Sequence, residues 1–163
     1  MKFVAIAFFT LLLISSVMLF GGKKIPSIPT TMPSPAENAL SSPSKVILYS
    51  LTPAGNDWKG VNSFHGYRVL GKVMLEGEEA FQVSNEFKQA VFRADGSVAS
   101  CFDPRHGLQV ADKTHTFDFV LCYECRQMEI YEDNKKIADI GAKGSPSFLN
   151  ELLAKRNIPL SKQ

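Results

Sequence analysis

Apolar positions change their spacing several times along the chain, and each change marks an element. Phe3 to Phe20 is an apolar run of 18 residues interrupted only by Thr10, Ser15 and Ser16. As a helix it would span about 27 Å, close to the roughly 30 Å of a bilayer core. Residues 1–24 therefore read as an N-terminal hydrophobic helix, either a signal anchor or a signal peptide. A cut after Gly21 or Gly22 would put Leu19 or Phe20 where signal peptidase needs a small residue, which favours an uncleaved single-pass anchor. Lys2 on one side and Lys23 and Lys24 on the other leave the orientation open. Residues 25–44 hold five of the nine prolines (Pro26, Pro29, Pro33, Pro35, Pro43) among Ser and Thr. That composition predicts an extended tether with too little apolar surface to order itself.

Residues 45–163 carry the periodicities of a folded domain. Val46-Ile47-Leu48-Tyr49 is a β-branched apolar run stopped by Pro53, and Tyr67 to Leu75 is a second strand with Gly71 as a candidate bulge. From Glu78 to Arg93 the apolar residues are Ala80, Val83, Phe87, Ala90 and Val91, one face of a helix that ends at Asp95-Gly96. Strand character returns at Val98 to Phe102, then at Leu108 to Ala111, Phe117 to Tyr123, Met128 to Tyr131 and Lys136 to Ile140. The connections are too short for parallel crossovers, so the runs predict an antiparallel meander. A last helix starts at Ser145-Pro146 and presents Phe148, Leu149, Leu152 and Leu153. The predicted class is α+β, in the order β-β-α-β-β-β-β-β-α, with two helices on one face of a mostly antiparallel sheet.

Charge excludes one class of partner. Setting aside Lys2, Lys23, Lys24 and Glu37, the 18 basic and 16 acidic residues of the chain leave fifteen of each in the domain. A neutral domain with no basic run is not a nucleic-acid binder. The expected partner is the membrane, through the N-terminal helix. A protein partner has no sequence feature of its own.

Candidate chemistry is concentrated between Cys101 and Cys125, which hold all three cysteines and two of the three histidines. In Phe117 to Tyr123 the core-facing positions are odd-numbered, whereas at Met128 and Ile130 they are even. A strand with a side-chain period of two cannot change face, so a bulge or turn must interrupt it between Cys122 and Arg126. The interruption lets the Cys122 and Cys125 side chains converge. With Cys101 and with His106, which Pro104 and Gly107 place near a loop tip, they would make a Cys₃His set of the count zinc prefers; Cu(I) suits the same thiolates. The alternative is a structural disulfide between Cys101 and Cys122 or Cys125 with one thiol left over, the ordinary state of cysteines in an exported domain. A thiol oxidoreductase using Cys122 and Cys125 lacks the helix N-terminus that usually activates such thiols. Arg105 is a candidate ligand for an anion, set against the reading of a surface charge beside Asp103. His65 is a candidate ligand or general base, including for a metal-dependent hydrolase, set against that of a solvated loop residue.

Phe64-His65-Gly66, Val69-Leu70-Gly71-Lys72, the Cys101 to Gly107 segment Cys-Phe-Asp-Pro-Arg-His-Gly, Cys122-Tyr123-Glu124-Cys125 and Tyr131-Glu132-Asp133 resemble an uncharacterised group of small exported or membrane-tethered bacterial proteins. The resemblance covers residues 64–160 and implies a bacterial cell-envelope setting, with the domain on the extracytoplasmic side; it brings no activity or catalytic residue with it. The expectation is a non-enzymatic envelope domain with a Cys/His cluster at its defining site.

Overall fold

A computed structural model describes residues 27–43, 45–53, 60–111 and 114–162. The N-terminal hydrophobic segment and Trp58 lie outside the described residues. The order is α1 (Ser34–Ser41), β1 (Lys45–Thr52), β2 (Ser63–Phe64), β3 (Tyr67–Glu76), α2 (Gly77–Phe92), β4 (His106–Ala111), β5 (Thr116–Cys122), β6 (Gln127–Glu132), β7 (Lys135–Gly141) and α3 (Ser147–Lys155). Among the described residues the protein is α+β, with seven strands in the order β2-β3-β1-β4-β5-β6-β7 and every pairing antiparallel.

Among the described residues three helices, rather than two, cover one face. Leu48 of β1, Leu75 of β3, Leu108 of β4, Phe119 of β5 and Ile130 of β6 point to that face. They form one core with Phe87 of α2 and Leu149 and Leu153 of α3. Phe87 meets Phe119 edge to face, with ring centroids 6.2 Å apart. The third helix corrects the reading of residues 25–44 as an extended tether. From Ser27 onward this segment is packed: Ser27 bridges Ser97, Gly141 N–H donates to Pro29 O at 2.7 Å, and α1 buries Ala36, Ala39 and Leu40. Buried Met32 lies four residues before Ala36. Residues 32, 36, 39 and 40 are a helical stripe, and Pro35 sits in the first turn, where its missing N–H costs nothing.

The expected strand at Val98–Phe102 does not form. The carbonyls of Ala99 and Cys101 accept from the Gln127 side chain at 2.7 and 3.1 Å, and Ala99 N–H donates to Cys125 O at 3.0 Å. Backbone groups satisfied in this way leave no ladder to build. The last helix begins one residue later than expected, with Ser145 Oγ accepting from Ser147 N–H at 3.3 Å.

The other face of the sheet is also covered, because the sheet curls. Five strand steps separate β2 from β6, about 24 Å in a flat sheet. Yet the ring of His65, just after β2, stacks on Tyr131 of β6 with centroids 3.6 Å apart. Two bulges add to the curl. One lies between Ser50 and Leu51, where Leu70 is the extra residue beside the anticipated Gly71; the other lies between Ile130 and Tyr131, opposite Ile137. The concave side holds a second apolar cluster of Tyr49, Leu51, Phe64, Tyr67 and Val120. Gly107 makes this approach possible, since a Cβ there would stand 2.6 Å from Phe64 Cε1.

Candidate functional site

The face change inferred near Cys122 is a hairpin turn. Cys122 pairs with Gln127 across β5 and β6, and Tyr123 to Arg126 form the connection, closed by Arg126 N–H donating to Tyr123 O at 3.2 Å. Arg126 takes φ 58°. The turn brings Cys125 against the loop that precedes β4. Cys101 and Cys125 form a disulfide there, with their Cα atoms 5.6 Å apart. Asp103 N–H donates to Cys125 Sγ at 3.3 Å. Cys122 is the third cysteine, free and buried, and its sulfur accepts the Cys125 N–H at 3.1 Å. Burial pushes the Cys122 thiol up, away from the thiolate form that redox chemistry needs.

The four-ligand set expected from the sequence does not assemble. His106 pairs with Leu121, and both point to the helix-covered face, whereas Cys122 is the next residue along β5 and points to the concave one. His106 is not at a loop tip. It opens β4 at 2% exposure, bonded through Nε2 to Asn150 Oδ1 of α3 at 2.9 Å. Burial, and then the Arg105 charge, outweigh the Asn150 bond and lower its pKa to about 4. Cys101, Asp103 and Cys125 do present ligand atoms within 4.8 Å of one another. Reduced, they would offer two thiolates and a carboxylate, one short of a closed zinc site.

Arg105 is partly buried rather than a free surface charge. It pairs with Glu124 at 2.7 Å, while its Nε is buried with no partner among the described residues. Arg105, His106, Asn150 and Ser50 line a cavity of about 30 Å³.

His65 is also not a solvated loop residue. With Gly66 it forms the two-residue turn between β2 and β3, at φ 49° and 86° respectively. Both residues have positive φ, the requirement of a tight hairpin turn. The turn aims the imidazole along the concave face, where Nε2 meets Asp118 Oδ2 at 2.7 Å. Asp118 is 3% exposed, and its other oxygen accepts from Gln109 Nε2 at 2.9 Å. Sequence reasoning gave no role to Asp118, Gln109 or Asn150. The available signal was a lone carboxylate within the apolar strand Phe117 to Cys122.

No protein-family model, curated protein or solved structure matches this chain. Among the described residues no helix is long and apolar enough to cross a membrane.

Proposed function

We propose that this chain is an exported, membrane-tethered domain of the bacterial cell envelope, in which the Cys101–Cys125 bridge is a structural staple. The observation that carries this reading is the pairing of those two cysteines, with the third thiol buried. Such bridges persist in oxidising compartments. The bridge fastens the irregular segment before β4 to the β5–β6 turn, where few ladder hydrogen bonds hold it. Two further features favour a staple over a redox pair: Arg126 and Gln127 lead into strand β6 and not into a helix, and the cation Arg105 is engaged by Glu124. The apolar run Phe3 to Phe20 supplies the membrane anchor.

The test uses the full chain expressed in a bacterial host. A non-reducing digest should yield the Cys101–Cys125 cross-linked peptide, and one thiol per chain should alkylate, only after denaturation. The protein should sediment with membranes and be cut by protease added outside the inner membrane. Three alkylatable thiols, stoichiometric zinc or copper, or protection of the domain inside the cytoplasm would overturn the reading.

A further inference from the structure

The cysteine turn leaves unused an enclosed acid–base pair of the concave face, His65 and Asp118, whose side chains are 9% and 5% exposed. A carboxylate only accepts, so the hydrogen bond at Asp118 Oδ2 fixes the ring proton on His65 Nε2. The neutral imidazole then carries its lone pair on Nδ1, the form of a base held by an orienting carboxylate. The pair is fixed from several sides. Gln109 holds the second carboxylate oxygen, Tyr131 stacks on the imidazole at 3.6 Å, and Phe64 meets its edge at 4.8 Å. The ring lines a cleft of about 440 Å³ together with Tyr49, Asn62 and Lys72. Lys72 is the only Lys or Arg among the described lining residues, and its Nζ lies 5.8 Å from the Tyr49 ring centroid. An oriented base, an enclosed carboxylate and a cation around one cleft are the parts of an acid–base site.

We propose that His65 is the general base of a hydrolytic site for small esters that carry an anionic group, with Asp118 as its positioning residue and Lys72 as the contact for the anion. In the reaction His65 Nδ1 takes a proton from a water as the water oxygen attacks the ester carbonyl. The tetrahedral intermediate collapses, the C–O bond to the alcohol breaks and the alkoxide or phenolate leaves. The imidazolium returns the proton to the leaving group or to solvent. This activity goes beyond the envelope role and does not depend on it.

The experiment compares hydrolysis of mono-p-nitrophenyl succinate and p-nitrophenyl acetate by the full chain. The wild type should hydrolyse the succinate faster than the acetate. His65→Gln should lose about 100-fold on both, the low end of what a positioned base contributes. Lys72→Met should bring the ratio of succinate to acetate rates down towards one. Asp118→Asn should lower kcat with little change in KM. The ¹⁵N spectrum of the wild-type ring should show the proton of the neutral His65 on Nε2, and this readout stands even if a variant fails to fold. A wild-type rate no higher than that of His65→Gln, or a neutral ring protonated on Nδ1, overturns the proposal. An unchanged succinate preference in Lys72→Met overturns the part assigned to Lys72.

Discussion

Acidification should destabilise this domain through His106. Its pKa lies near 4 in the folded protein, against 6.5 for an ordinary histidine, chiefly because burial disfavours the imidazolium, with Arg105 opposing the charge as well. Between those two values the unfolded chain binds more protons than the folded one, so stability falls as pH falls. The contribution is fully present above about pH 7 and is lost progressively from 6.5 downward. The loss is about 2 kcal/mol by pH 5 and about 3 kcal/mol by pH 4, since one proton taken up on unfolding costs about 1.4 kcal/mol for every pH step of one. His106→Gln is the reference, because a glutamine amide can keep a donor towards Asn150 Oδ1 without titrating. Urea unfolding of both proteins at pH 7.5 and pH 5, with the disulfide intact, measures the difference; carboxylate protonation is common to both and cancels. The wild type should lose about 2 kcal/mol more than the variant, a midpoint shift of about 1 M urea. Equal pH dependence in the two proteins, or a folded-state His106 titration above pH 6 by NMR, would refute the reasoning.

Reducing the Cys101–Cys125 bridge, which closes a loop of sequence separation 24, should cost about 3 kcal/mol in urea unfolding, and Cys125→Ser should match the reduced wild type. Leu40→Ala in α1 should destabilise by about 3 kcal/mol, because its side chain is buried in the helix-side core. A loss under about 0.5 kcal/mol would return this segment to the status of a tether, since surface substitutions fall in that range. Gly107→Ala should cost about 1–3 kcal/mol, because the new methyl group meets Phe64 at 2.6 Å, and crystallography of the variant should show Phe64 displaced.

Most elements were legible from short-range periodicity, which reports how one segment divides into an inner and an outer face. The stripe Ala80, Val83, Phe87, Ala90 and Val91 could only be a helix, and the face change between Cys122 and Arg126 required the turn that now holds Cys125. The stripe Met32, Ala36, Ala39 and Leu40 was equally present, but five prolines nearby obscured it. Val98 to Phe102 has strand composition and forms no strand, because a distant side chain, Gln127, takes its carbonyls.

The candidate sites depended on more than local pattern. Sequence alone determined that the cysteines cluster, that the thiols near the turn could approach one another, and that His65 and His106 lie in turn-rich surroundings. Which face each residue points to was settled by strand register. That register sent His106 towards Asn150 under the helices, away from Cys122, and left Cys101 to pair with Cys125. The joining of His65 to Asp118, 53 residues apart, required the sheet to curl through four strand steps. Curl accumulates from the twist of every strand pair and from bulges, so no single stretch of sequence contains it.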